Sequence, residues 1–287
     1  EGFIVSIVDK IKEHRNNVPK ELEGIDELDS TTKDYMLYKF LKDNLNDYPY
    51  LLEELPVYFM EEILINEINS YNFERYFTDN VIKKLNEGTG KLRTILLNHI
   101  EYANLIPKLT TEKNYMPSSI YFNNEEKWVS ISKYLALFQS RYGKKELISF
   151  LNSFNDRNSC ENLFKEMEDS DFFYNALFDD DDIIELVKGN FGKNLNNDSF
   201  SKLISKMSSL DNPNKYMNLL LDNNIYDRCK KDISVSYLTR LLFEKDVSLI
   251  SDININNLSN MELDIMNSFI DEFNAENGFY TQKTSDF

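Results

Sequence analysis

MPSSIYFNNEEKWVSISKYLALFQSRYGKKELISFLNSFN, residues 116–155, sets the grammar of the whole chain. It carries the only Trp, a loop led by Pro117, a strongly amphipathic run, a Gly break and a second apolar run. Asn123 or Asn124 is expected to cap the first helix, because an Asn side-chain oxygen accepts the otherwise unpaired amides of a first turn. Glu125 and Glu126 then fall where the positive end of the helix dipole favours acids. Trp128, Ile131, Leu135 and Phe138 follow at helical spacing, with Tyr134 and Leu137 widening the stripe. Its place on that stripe assigns Trp128 to the core rather than to ligand stacking. Gly143 is a left-handed stop, after which Leu147, Ile148 and Leu151 begin a second stripe that Asn152 or Asn155 closes. Two short helices across a tight turn cannot bury both stripes alone, so they need neighbours.

The same pattern of helix, stop and helix extends in both directions. Upstream, Phe3, Ile4, Ile7, Val8 and Ile11 mark a first amphipathic helix, and residues 16–30 form a polar linker. Ser30 or Thr31 caps a helix carried by Tyr35, Leu37, Tyr38 and Leu41, which Pro49 interrupts. Pro56 opens a fresh helix through Val57, Phe59, Met60, Ile63, Leu64 and Ile68. Thr78 or Asp79 caps Val81–Leu85, Gly88 and Gly90 break it, and Leu92, Ile95, Leu96, His99, Ile100 and Ala103 form one continuous stripe. The loop 108–123 is the longest candidate boundary.

Downstream, short stripes lie at Leu163–Met167, Phe172–Leu177, Ile183–Val187, Phe200–Met207, Tyr216–Leu221, Tyr237–Leu242 and Leu258–Phe273. Pro213 and Asn223 read as stops, and Ser248–Ile255 alternates weakly, as a strand or equally as a loop. Units recur roughly every 12–20 residues, the grammar of stacked helix pairs that bury their stripes only against one another. The expectation is an all-α fold, an irregular solenoid-like array of short antiparallel helix pairs. Its divisions are an N-terminal helical subdomain over 1–108, a C-terminal helical-repeat subdomain over 109–276 and a polar tail over 277–287.

Composition narrows the function. With 20 Phe and 17 Tyr among 287 residues the chain can build a core, while 8 Gly and 6 Pro leave few tight turns for a many-stranded β fold. The net charge of -17 repels phosphate backbones and anionic membrane surfaces, so nucleic acid is excluded as a partner. No apolar run approaches the roughly 20 residues that span a bilayer, which excludes membrane insertion by this segment. Cys160 and Cys229 cannot frame a fold of this size, which points to the reducing cytoplasm. An opening at Glu1 without Met, with a polar tail at the other end, reads as a piece of a longer chain.

Catalytic signatures fail one by one. A Walker A loop needs a Gly five residues before its Gly-Lys pair and a Ser or Thr after it. Gly90-Lys91 has Leu85 and Leu92 in those places, and Gly192-Lys193 has Val187 and Asn194. His99 lies on an apolar stripe and reads as a hydrogen-bonded boundary histidine, while His14 suits the negative end of the first helix. Two His and two Cys so dispersed make no zinc site. The sharpest polar feature is Asp179, Asp180, Asp181 and Asp182, followed by Glu185. It reads as an acid-rich helix start, as a docking patch for a basic partner, or as a divalent-metal site that lacks calcium-loop spacing. The aromatics Tyr48, Tyr50, Tyr71, Phe73, Tyr76 and Phe77 are assigned mostly to the core.

The order Trp128-Val-Ser-Ile-Ser-Lys-Tyr134, followed by Glu146-Leu-Ile-Ser-Phe-Leu-Asn152, resembles the helical C-terminal region of large bacterial YobI-like P-loop NTPases. That resemblance implies an all-helical segment behind an ATPase that lies far upstream, and it carries over no catalytic residue. The expected function is a non-catalytic helical-repeat region for protein interaction or regulation within a larger bacterial protein, accessory to an upstream P-loop ATPase. It takes no cofactor and no metal, and it engages a protein with a basic surface or the rest of its own chain, through Asp179–Asp182 and Glu185. The alternative is a helical metal-dependent enzyme or toxin domain that uses the same acids.

Overall fold

The computed structural model describes residues 6–110, 115–122, 125–176, 178–207, 213–220, 222–229 and Asn267. The chain is all-α, with one two-stranded antiparallel sheet among the described residues. It separates into two compact units, Glu1–Tyr142 with Ser153–Asn155, and Gly143–Asn152 with Asp156–Phe287.

The first unit begins with helix α1 (Ile7–His14), whose Ile7 and Ile11 are buried and whose Ser6 caps it. Residues 16–30 do more than link. Two short 3-10 turns, Lys20–Leu22 and Ile25–Glu27, bury Leu22 and Ile25 against the helices on either side. The α2 helix (Ser30–Asn44) is capped one residue earlier than expected, by Asp29, which accepts from the Thr32 amide at 2.7 Å. After the 3-10 segment Pro49–Glu54 comes α3 (Val57–Asn66), entered through Pro56, then α4 (Asp79–Leu85), capped by Thr78. Helix α3 packs on α2 and α4.

The stripe 92–103 is continuous in the sequence and divided in the structure. The α5 helix (Lys91–Leu96) gives way at His99, whose backbone (φ -127°, ψ 88°) is not helical, to a 3-10 segment, Ile100–Lys108. Gly90 enters α5 with φ +79°, a left-handed conformation that glycine adopts without cost. Gly88 serves a different purpose. A Cβ there would lie 2.2 Å from Oε1 of buried Glu61, whose carboxylate accepts from the amide and hydroxyl of Thr89 at 3.2 and 3.1 Å.

The quoted stretch departs most from expectation. Strand β1 (Ser119–Phe122) pairs antiparallel with β2 (Lys127–Ser130) across a turn at Glu125–Glu126, where Glu126 is left-handed at φ +49°. Trp128 is therefore a strand residue, 70% exposed, and its assignment to the core is corrected. Successive strand side chains face opposite ways, so Ile120, Phe122 and Val129 turn inward while Trp128 and its partner Tyr121 pair on the outside at 5.3 Å. The loop 108–123 thus holds a strand, and α6 (Ile131–Tyr142) starts after the Trp. The expected caps Asn123 and Asn124 lie outside the described residues. Helix α6 packs on the sheet and on Ile100–Lys108, with Tyr142 donating to the Ile100 carbonyl at 2.6 Å. Buried Arg93 reaches Ser153 Oγ at 2.9 Å and lies 4.7 Å over the Phe154 ring, which ties Ser153–Asn155 into this unit.

Gly143, at φ +91°, stands where the second unit begins. That unit contains α7 (Lys144–Leu151), α8 (Arg157–Asp169), α9 (Phe172–Asn175), α10 (Asp180–Lys188), α11 (Asn190–Asn194), α12 (Asn197–Ile204), α13 (Pro213–Leu220) and α14 (Asn223–Cys229). Pro213 opens a helix instead of stopping one, as a first turn permits, and Asn223 does the same. Helix α10 packs on α7, α11 and α12 through Ile183, Leu186 and Val187. Burial of each such side chain contributes about 1.5–3 kcal/mol. The stripes 237–242 and 258–273 and the strand candidate 248–255 lie outside the described residues, apart from Asn267.

Candidate functional site

The acid run is built into the start of α10. Asp179 Oδ1 accepts from the Asp182 amide and Asp182 Oδ2 accepts from the Asp179 amide, both at 2.9 Å, which forms a reciprocal capping box. That amide bond leads the effects holding the Asp179 carboxyl below its ordinary range. Lys144 lies 2.8 Å from Asp182, and Lys215 lies 3.0 Å from Asp181; these bonds raise both lysines. Asp180 is buried, and Glu185 is exposed one turn further along. The five acids therefore diverge around a helix end. Among the described residues, no group of three or more His, Cys, Asp or Glu side chains is placed to hold a metal ion.

Directly before Asp179 the structure forms a cleft that the sequence reading missed. The α8 helix starts on the Asp156 cap and buries Cys160, Leu163, Phe164 and Met167. It ends at Ser170, and Asp171 turns the chain left-handed at φ +52° into the single turn of α9. Phe172, Phe173 and Tyr174 are consecutive, and helical residues one apart point in different directions. Phe172 consequently goes inward, Phe173 lies half-buried and Tyr174 stands 82% exposed. Phe178 closes the group, its ring 5.9 Å from Phe172 and 6.0 Å from Phe173 in edge-to-face geometry. The resulting cleft has a volume of about 390 Å³. Phe173, Tyr174, Phe178 and Met167 form its walls, Glu168 and Asp171 its acidic rim, and Lys206 enters from beyond α12. The Lys206 ammonium sits 5.5 Å from the Phe173 ring centre and 3.5 Å from Glu168. The only advance signal was Phe-Phe-Tyr itself, since three successive rings cannot all share one buried face.

Other candidate groups are not part of the cleft lining. His14 stacks on Tyr50 at 3.7 Å, and buried His99 lies 3.5 Å from Glu101. Both belong to the first unit, whereas Cys160 and Cys229 belong to the second, where both thiols are buried. Burial raises the Cys160 thiol to about 12, which leaves it protonated and unsuited to nucleophilic work. In the first unit Tyr38 donates to Glu62 at 2.7 Å, a bond that pushes its phenol up to about 12. Phe59 stacks on that ring at 4.4 Å and Lys42 approaches within 5.3 Å, so the Tyr38 ring already has its partners. Of the aromatics assigned to the core, Tyr48, Phe73 and Tyr76 are buried, whereas Tyr71 is 92% exposed.

No family model, curated protein or solved structure matches this chain.

Proposed function

We propose that this chain is a non-catalytic helical region for protein interaction, and that its second unit receives a basic segment of a partner protein. The observation that supports this is the aromatic cleft of Phe173, Tyr174 and Phe178, rimmed by Glu168 and Asp171 and followed at once by the acid run. Aromatic faces and carboxylates together favour Lys and Arg side chains, the first through the ring quadrupole and the second through charge. A net charge of -17 adds long-range attraction for the same class of partner. The acids that a metal-dependent enzyme would use are engaged as a helix cap and with Lys144 and Lys215, so the geometry favours docking. The resemblance supports a place in a larger bacterial protein, accessory to an upstream ATPase, and the sparse cysteines support a reducing, cytoplasmic setting.

The test is fluorescence anisotropy with a labelled Lys-rich peptide and a Glu-rich peptide of equal length. The Lys-rich peptide is expected to bind with an affinity that falls as salt rises, and the Glu-rich peptide is expected not to bind. Tyr174→Ala should weaken capture by about tenfold, within the range for an exposed aromatic anchor. Equal binding of both peptides, or an unchanged Tyr174→Ala variant, would overturn the reading.

A further inference from the structure

Among the described residues of the second unit, two cations lie over aromatic rings, and they are held very differently. The Arg228 guanidinium lies 3.7 Å from the Phe200 ring centre and donates to the carbonyls of Gly192 at 2.9 Å and Leu195 at 2.6 Å, with Nε on Asn197 at 3.2 Å. Those bonds fix its fork in place, as part of the packing around the end of α11. Lys206 lies 5.5 Å from the Phe173 ring and pairs with Glu168 at 3.5 Å. Its side chain is 34% exposed, and it follows the last turn of α12 on a flexible four-carbon stem.

The geometry points to Lys206 as an internal stand-in for the partner's basic side chain. Taking the cleft as the docking site proposed above, we infer that it accommodates one lysine or arginine of the partner between Phe173, Tyr174, Glu168 and Asp171, and that this side chain displaces Lys206. The chain itself shows the match in chemistry, since an ammonium already lies by ring and carboxylate. Because Lys206 is tethered, it competes with every incoming cation at a high effective concentration. Weak single basic residues are thereby refused, and segments with further basic residues for the Asp179–Glu185 acids are favoured.

The experiment compares the wild-type chain with Lys206→Gln, Lys202→Gln and Tyr174→Ala, using the Lys-rich peptide and tetramethylammonium as separate probes. Lys202 is the charge control, an exposed neighbour paired with Asp198 at 3.6 Å. Lys206→Gln is expected to bind the peptide about fivefold more tightly than Lys202→Gln, the size of a lost competing cation–π contact. In parallel, the Lys206 CεH₂ proton resonances, shifted by the Phe173 ring, should move toward free-lysine values as peptide is added. Equal affinities of the two glutamine variants, with Tyr174→Ala still impaired, would sink the stand-in while leaving the docking reading intact. Peptide binding by none of the proteins would sink both. Binding of tetramethylammonium without the peptide would make the cleft a small-ammonium site and overturn the assignment to a protein side chain.

Discussion

Asp26 shows how far one carboxylate can reach in this fold. Its oxygens accept from the amides of Ile7 at 2.8 Å and Val8 at 3.0 Å and from the Ser6 hydroxyl at 3.0 Å, while Lys33 lies 3.1 Å away. It therefore caps α1 from a remote 3-10 turn and ties that turn to α2. Burial acts to raise its pKa, but the Val8 and Ile7 amides, with Lys33 and Ser6, hold it below the ordinary carboxylate value. A group depressed in the folded state contributes stability above its unfolded value and loses it as pH falls through the folded one. Asp26→Asn is accordingly expected to cost about 2 kcal/mol at neutral pH. Urea unfolding at stepped pH should show that deficit closing below about pH 4. A deficit that persists unchanged in acid would assign the effect to shape instead of charge.

Between elements, glycine governs how closely helices approach. A Cβ on Gly192 would lie 2.4 Å from the Val187 carbonyl and 2.7 Å from that of Leu186, both rigid backbone atoms at the end of α10. Gly192→Ala should push α11 off α10 and lower stability by about 1–3 kcal/mol, read as a fall in melting temperature. The pair Gly192-Lys193 is thus a packing site, in keeping with its failure as a phosphate loop. The helices themselves were legible, because stripes such as Leu163, Phe164 and Met167, or Phe200, Leu203 and Ile204, repeat at the helical period and are buried. The sheet was not legible. Trp128 and Ile131 are three apart, so a helix through both fitted as well as the strand and turn that occur. What separates the two is the left-handed Glu126, whose sequence carries no Gly to announce it. The cleft was hidden for a similar reason, since its opening depends on left-handed Asp171. The acid run was found by composition, but its role as a capping box with two lysine partners needed Lys144 and Lys215, which are distant in sequence.

At the scale of the whole molecule, the chain enters its second unit at Gly143, returns to the first for Ser153–Asn155, and leaves again at Asp156. Phe154 is fully buried there, beneath the Arg93 guanidinium. Phe154→Ala is expected to lower the stability of the first unit by about 3–5 kcal/mol, as loss of a large core ring does. Hydrogen exchange should report faster opening in α5 and α6 while protection of α10 and α12 stays as before; uniform loss throughout would show that the two units unfold together. This back-stitch has a practical corollary. No single scission of the polypeptide, by a protease or at a cloning boundary, yields both halves intact. Any transplant of the acidic half into another scaffold must leave behind the short thread that its neighbour has borrowed.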